Sequence, residues 1–141
     1  MLKYNVVPMK NPIDKSVKYY ARLVPVTPVT LDSLCEIISR QCTVTVHDVK
    51  AVLSALEEQV YQHLRNGNSV RLGDLGSFRP TLRSMGVEQE TDFNSSYIQS
   101  VSVRFSPSSK LRFELSKQNP AVTFLNVKEV VSGSDQQEDG Q

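Results

Sequence analysis

A long amphipathic helical pattern that runs directly into a glycine-punctuated hairpin constrains the fold of this chain more than any other feature. Apolar residues at helical spacing form one continuous stripe, made of Val49, Val52, Leu53, Leu56, Val60 and Leu64. Thr45 with Asp48 predicts the start of this helix, and Gly67 predicts a left-handed stop. From residue 46 to 66 such a helix is about 30 Å long. A stripe of this length favours a longer partner than the preceding helix, and a second copy of the chain would provide one.

The elements on either side of the long helix are short. A first helix is predicted from Leu31 to about Gln41, with Thr30 as its N-cap. After the long helix, residues 70–83 predict a strand, a tight turn over residues 73–76 and a second strand that carries arginines. These segments alternate helical and extended periods, so the chain belongs to the α+β class.

The segment after the arginine-bearing strand predicts an arm, a return strand and a last helix. Residues 84–96 are polar and without periodicity, which favours an arm tip or loop. Ile98 to Phe105 predicts a strand with a face change or bulge between Ile98 and Val101. Ser106 as N-cap and Pro107 as first helical residue predict a short helix, buried through Leu111 and Leu115.

The sequence at the two ends of the chain indicates elements that are separate from the central domain. Residues 1–29 resemble a β-hairpin, with strands on either side of a turn signal at residues 11–14. Residues 118–131 contain a possible extra strand, residues 122–127, that could pair with this hairpin. Residues 132–141 contain no apolar side chain and predict a disordered tail. The central domain is then residues 30–117.

Composition excludes most classes of function. The 141 residues contain no apolar run long enough to span a bilayer and no signal-peptide pattern at the start, so we expect a cytoplasmic protein without a membrane partner. No nucleophile motif, phosphate loop or metal-ligand spacing is present, which predicts no enzyme, no cofactor, no metal and no small-molecule substrate. We interpret Cys35 and Cys42 as reduced core or interface residues, and His47 and His63 as surface residues.

Charge is unevenly distributed although the net charge is only +1. Residues 1–29 carry five Lys and Arg against one acid, and residues 70–117 carry seven against five. The predicted helices and the tail are acidic. Positive charge therefore accumulates in the N-terminal hairpin and in the strand region.

The order of helix, helix, glycine-turn hairpin, arm, strand and helix resembles the HU/IHF family of histone-like, nucleoid-associated bacterial DNA-binding proteins. The matching residues are Gly67, Val70, Leu72, Gly76, Ser77, Phe78, Phe105 and Leu111. The resemblance covers residues 30 to about 117. It implies an HU-like fold with a two-helix base, an antiparallel β-hairpin arm and a short C-terminal helix, in an intertwined homodimer. Residues 1–29 add a β-hairpin that the family lacks.

The arm departs from the family pattern. Leu75 replaces the usual aromatic residue in the turn, and the intercalating proline of the family's arm tip is missing. Glu88, Glu90 and Asp92 lie there instead, and carboxylates repel phosphate. Met85 and Phe93, with Tyr97, are the candidates for an apolar wedge, although packing of the arm is the commoner role for such residues.

The resemblance and the strand periodicity together predict a phosphate-binding surface. Arg83 and Arg112 match basic positions of the family, and Lys110 extends the patch. Arg71, Arg79 and Arg104 lie opposite the apolar strand positions by period-two counting, although arginines there can also simply solvate a strand. The backbone of Gly76 and Ser77 can approach phosphate closely. The predicted dimer interface comprises Leu34, Ile38, Val49, Val52, Leu53, Leu56, Val60, Phe78 and Phe105.

The sequence thus predicts an architectural protein of the nucleoid that binds double-stranded DNA through phosphates, with low sequence specificity, and bends it. Two alternatives remain open at this point. One is an HU-fold dimer repurposed as a protein-interaction or structural module, and the near-neutral charge and acidic arm favour it. The other is a heterodimer whose partner supplies the missing positive charge.

Overall fold

The computed structural model describes residues 1–128, and they form two units. One unit comprises Met1–Pro28 together with the described residues from Glu114 onward, and the other comprises Val29–Phe113. The predicted disordered tail, residues 132–141, lies outside the described residues.

The first unit is a three-stranded sheet. Strand β1 (Leu2–Lys10) pairs antiparallel with β2 (Val17–Leu23), and β6 (Phe124–Asn126) pairs in parallel with the other edge of β1. The Asn11 side chain accepts a hydrogen bond from the backbone of Ile13 at 3.0 Å, as a turn-forming Asn does. The N-terminal hairpin and the pairing of the late strand with it are as the sequence predicts.

The second unit starts with two capped helices, α1 (Leu31–Gln41) and α2 (Val46–Arg65). Thr30 caps α1, as predicted, by accepting a hydrogen bond from the backbone of Ser33 at 3.3 Å. At α2, Thr45 and Asp48 form a reciprocal capping box. Hydrogen bonds from the Thr45 hydroxyl and then from its backbone lower the pKa of Asp48, so this carboxylate remains charged beside the positive end of the helix.

The C-terminus of α2 ends in a Schellman motif. Gly67, at φ +82°, donates to the carbonyl of Leu64 at 3.0 Å, and Asn68 donates to that of His63 at 3.0 Å. The left-handed conformation predicted for Gly67 is confirmed. It turns the chain directly into the following sheet.

That sheet has the order β3 (Val70–Leu72), β4 (Gly76–Ser84) and β5 (Ile98–Pro107), all antiparallel. The register slips between Arg83 and Ser84, opposite Ser100 and Ile98, so the predicted bulge near the start of β5 is confirmed. The segment between β4 and β5 contains two single 3₁₀ turns and no strand, as expected for an arm tip.

The predicted start of the last helix is wrong, and its predicted buried side holds only at Leu111, which is half-buried. Pro107 pairs with Gly76 as the last residue of β5, and α3 spans Ser109–Glu114. Ser108, rather than Ser106, is the cap, because its hydroxyl accepts a hydrogen bond from the backbone of Leu111 at 3.1 Å. Leu115 lies beyond the helix and is exposed.

Very few apolar side chains in the described residues are buried. Among these residues Cys35 is fully buried and Val49 is buried, at the contact of α1 with α2. Cys42 is exposed, and both cysteines are free thiols. His47 and His63 are exposed, as predicted. On the stripe of α2, Leu53, Val60 and Leu64 are half-buried within one chain, whereas Val52 and Leu56 are exposed.

Candidate functional site

The two faces of the β4–β5 ribbon have opposite chemistry. Residues paired across the two strands share a face, and successive residues alternate between faces. One face carries arginines and hydroxyls, and it includes Arg71 of β3 through its pairing with Ser77. We call it the arginine face, and its members are Arg71, Ser77, Arg79, Thr81, Arg83, Ser100, Ser102, Arg104 and Ser106. The other, the apolar face, consists of Gly76, Phe78, Pro80, Leu82, Val101, Val103, Phe105 and Pro107.

Two arginines of the arginine face lie directly opposite each other. Arg79 on β4 is the cross-strand partner of Arg104 on β5, and both are exposed. Like charges in this arrangement repel, and each pair costs a few tenths of a kcal/mol to about 1 kcal/mol. No strand residue of this face is acidic, and neither ion pair within residues 1–128 involves one of its arginines. The face therefore concentrates uncompensated positive charge.

A groove of about 530 Å³ begins where the arginine face meets the glycine turn. Arg71, Lys110 and Arg112 contribute its cationic side chains, and Gly76 and Ser77 contribute backbone. Lys110 makes an exposed ion pair with Asp74 across the rim, with 3.5 Å between nitrogen and oxygen. Because both side chains are largely in solvent, this pair contributes little and an anion can compete for the lysine.

The start of α3 is fixed to the glycine turn by Ser108. Its backbone donates to the carbonyl of Leu75 at 3.2 Å, and its hydroxyl donates to the carbonyl of Asp74. These bonds link residues more than 30 positions apart in the chain. They place Lys110 and Arg112 beside the turn.

Gly76 is required at the base of this groove. Its φ is +151°, and a Cβ atom would lie 2.4 Å from the carbonyl oxygen of Ser106 and 2.8 Å from the ring of Phe105. The Phe105 ring in turn lies 5.1 Å from that of Phe78, centroid to centroid. A side chain at position 76 would separate β4 from β5 where the site residues converge.

The structure brings five of the eight residues predicted to bind DNA to the groove: Arg71, Gly76, Ser77, Lys110 and Arg112. The other three, Arg79, Arg83 and Arg104, lie on the arginine face outside the groove lining. Sequence reasoning did not single out the hydroxyls between the arginines, Thr81 and Ser102 among them. The alternation of serine with apolar residues from Ser100 to Ser106 was a signal that could have identified them.

The arm tip is capped by an aromatic pair. Phe93 and Tyr97 lie 5.8 Å apart, centroid to centroid, and the Tyr97 carbonyl accepts a hydrogen bond from the backbone of Met85 at 2.9 Å. Phe93 and Met85 are both still exposed. Glu88, Glu90 and Asp92 are exposed beside them.

The residues predicted to form a dimer interface differ in how far they are buried within one chain. Val49 is buried within the chain, whereas Val52 on the same helix is 67% exposed. Three more are exposed and four are half-buried. The exposed ones are Leu34, Leu56 and Phe105, and the half-buried ones are Ile38, Leu53, Val60 and Phe78. On the apolar face, Leu82 and Val101 are 67% and 68% exposed.

Residues 1–128 contain no cluster of three or more metal-binding side chains. Within that same range, none of the helices is both long and apolar enough to cross a membrane.

Two solved structures share this fold. One is a crystal structure from Bacteroides vulgatus, described as that of a candidate bacterial DNA-binding protein, with a TM-score of 0.62 and 19% identity over 89% of this chain. The chain spans 48% of the length of that protein. The other is Anabaena HU, crystallised with DNA, with a TM-score of 0.50 and 19% identity. The match covers 63% of this chain and 99% of that one.

No curated protein is significantly similar in sequence. The family model HU-HIG, described as an HU domain fused to a wHTH, Ig or glycine-rich motif, matches residues 1–121. The N-terminal hairpin lies inside the matched region, so the expectation that the family lacks such an extension is wrong for this branch. The chain belongs to the HU family, in its HU-HIG branch.

Proposed function

We propose that this protein is an architectural DNA-binding protein of the bacterial nucleoid, which holds double-stranded DNA through its phosphates with low sequence specificity. The arginine face carries the proposal. It presents four arginines without an acid, and Arg79 repels Arg104 across the strands until an anion lies between them. A polyphosphate backbone supplies anions at repeated positions along such a face.

The chemistry of the site favours phosphate over bases. Guanidinium groups and short hydroxyls both donate hydrogen bonds to phosphate oxygens, and such contacts carry no sequence information. The groove adds Arg71, Arg112 and the backbone around Gly76 to these donors. The HU fold, which the chain shares with a protein crystallised on DNA, supports the same partner.

We propose a homodimer as the binding species. A chain of this size normally buries many apolar side chains, yet Val52, Leu56 and Phe105 remain exposed here. A second copy that covers α2 would bury them, and C2 symmetry would place two arginine faces on one duplex. Val52→Asp should therefore abolish the dimer, measured by analytical ultracentrifugation, whereas Ser54→Asp, at an exposed position of α2 outside the predicted interface, should leave it intact. A wild-type monomer at micromolar concentration would contradict the proposal.

Bending of the DNA is the finer part of the proposal. Met85 and Phe93 are exposed apolar side chains at the arm tip, as a wedge requires, while the stacking of Phe93 on Tyr97 favours a packing role for that residue. Energy transfer between dyes at the two ends of a duplex measures the bend. A wedge role predicts a smaller bend for Met85→Gln at unchanged affinity.

The second candidate is a protein-interaction module that kept the fold. The acidic arm tip favours it, because Glu88, Glu90 and Asp92 are exposed where a DNA-binding arm would approach phosphate. Positive charge in residues 29–113 is also balanced, with nine Lys and Arg against nine acids.

Equilibrium binding to labelled random-sequence duplex DNA at several salt concentrations separates the two candidates. The DNA-binding proposal predicts sub-micromolar affinity at low salt and a steep loss as salt rises, because each neutralised phosphate releases condensed counterions. No binding even at low salt would contradict it for the homodimer and favour a protein partner.

A further inference from the structure

The sheet of the first unit carries three of its four strand cations on one face. Residues paired across β1 and β2 again share a face. One face carries Lys3, Asn5, Val7 and Met9 of β1 with Lys18, Tyr20 and Arg22 of β2. We call this the lysine face. The opposite face holds Tyr4, Val6, Pro8 and Lys10 of β1 with Val17, Tyr19, Ala21 and Leu23 of β2.

Positive charge is in excess among the described residues of this unit, 1–28 and 114–128. They contain seven Lys and Arg against two acids, a net charge of +5, and neither acid lies on a strand. Asp14 lies in the turn, where it accepts hydrogen bonds from the Ser16 backbone and hydroxyl. Glu114 accepts one from the Asn119 amide at 3.3 Å. No acid among the described residues of this unit lies on the lysine face, and Lys3, Lys18 and Arg22 belong to neither ion pair within residues 1–128.

We infer that the lysine face is a second surface for the phosphate backbone of duplex DNA, separate from the arginine face. This inference rests on the proposed function, since both surfaces take the same ligand. Lys18 and Arg22 lie about 13 Å apart along β2, and Tyr20 lies between them on the same face, half exposed. Cations and a phenol hydroxyl in one row all donate to phosphate oxygens.

The same arrangement argues against a membrane surface. A peripheral membrane element needs its cations and its apolar side chains on one side, so that both meet the lipid together. Here three exposed apolar groups, Leu23, Tyr19 and Val17, share their face with one cation, Lys10, while the lysine face has three cations and one exposed aliphatic side chain, Met9. Three of the four strand cations can therefore reach a flat polyanion without Leu23, Tyr19 and Val17.

The test compares two charge-matched triple variants of the full chain. One is Lys3→Gln/Lys18→Gln/Arg22→Gln, which removes the cations of the lysine face. The control is Lys10→Gln/Lys15→Gln/Lys117→Gln, which removes the same charge from the same unit away from that row. Urea unfolding of both checks the fold, and duplex binding is measured against salt.

The lysine-face variant should lower the salt slope of log K by about 2.7 for each protomer bound, and the control by less than about 1. Equal losses in both variants would overturn the inference, because general charge would then explain them. An unchanged slope in the lysine-face variant, with strong wild-type binding, would overturn it and leave the proposed function standing. Absence of wild-type binding would remove the proposed function itself.

Two further readouts do not depend on the variants. Amide chemical shifts of Lys3, Lys18 and Arg22 should move when duplex is added to the wild-type protein. Shifts confined to residues 70–112 would overturn the inference. Binding to vesicles with anionic headgroups is the other readout. Loss of vesicle binding in the lysine-face variant, with DNA affinity retained, would assign the face to a membrane and overturn the inference.

Discussion

The two faces of the β4–β5 ribbon are built from the same two strands, yet they suit different partners. Ser102 and Val103 are neighbours in the chain, and one lies among arginines while the other lies beside Tyr61 and Leu64 of α2. Strand periodicity separates them because successive side chains point to opposite sides. One ribbon can thus meet a polyanion on one side and protein on the other. An added carboxylate should weaken DNA binding on the arginine face and lower stability on the apolar face.

The largest effect is expected from a substitution that disrupts both faces of the ribbon at once. Gly76→Ala places a Cβ atom 2.4 Å from the Ser106 carbonyl oxygen, which neither strand can avoid without separating. We expect a loss of about 3 kcal/mol or more in the free energy of unfolding, measured in urea. Gly86→Ala is the control, because a Cβ atom at position 86 would meet nothing within 4 Å. Similar stability of the two variants would contradict the strand geometry.

An acid on the apolar face should give the next largest effect. Val103→Asp places a carboxylate beside Tyr61 and Leu64, on the face that the proposed homodimer would cover, and we expect the free energy of unfolding of the dimer to fall by about 2 kcal/mol or more. Ser102→Asp introduces the same charge one residue away, among arginines, and should change stability much less. Equal destabilisation by the two substitutions would mean that the faces do not differ in their cover.

In DNA binding, Ser102→Asp should have the larger effect of the two substitutions, although it should have the smaller effect on stability. Ser102→Asp adds a carboxylate to the arginine face, and we expect duplex affinity at low salt to fall about tenfold or more. Fluorescence anisotropy with a labelled duplex measures this, and Ser102→Asn controls for the change in side-chain size. Retained affinity in the aspartate variant would move the DNA-binding surface elsewhere.

The smallest effect is a gain in stability. Arg104→Thr removes the repulsion with Arg79, and it should raise the free energy of unfolding by about 0.5 kcal/mol at low salt. Added salt should reduce this gain because it screens exposed charges. Arg71→Thr serves as the control, since Arg71 lies opposite Ser77 and relieves no such pair. A loss of stability in Arg104→Thr would contradict the repulsion.

Local signals in the sequence predicted the helices well. Thr30 and Thr45 cap them, and Gly67 ends the second one, because caps and stops act within a few residues. The start of the last helix was missed because Pro107 suits either a first helical turn or the end of a strand. Its pairing with Gly76, 31 positions away, decides between them.

The sequence predicted only part of the candidate site, again because local pattern does not fix long-range pairing. Period-two counting places Arg79 and Arg104 away from the apolar residues of their own strands. That they lie opposite each other depends on the register of two strands joined by an arm of more than ten residues, which local pattern does not fix. The groove depends likewise on the Ser108 contacts with the turn at residues 73–76.

The salt dependence of duplex binding by wild-type protein and by Arg79→Gln/Arg104→Gln tests the central claim most directly. The claim is that the arginine face neutralises DNA phosphates in a homodimer. Four arginines are lost per dimer, so the slope of log K against log salt should become shallower by about 3.6. The variant must remain folded and dimeric for the comparison. An unchanged slope in such a variant would contradict the claim.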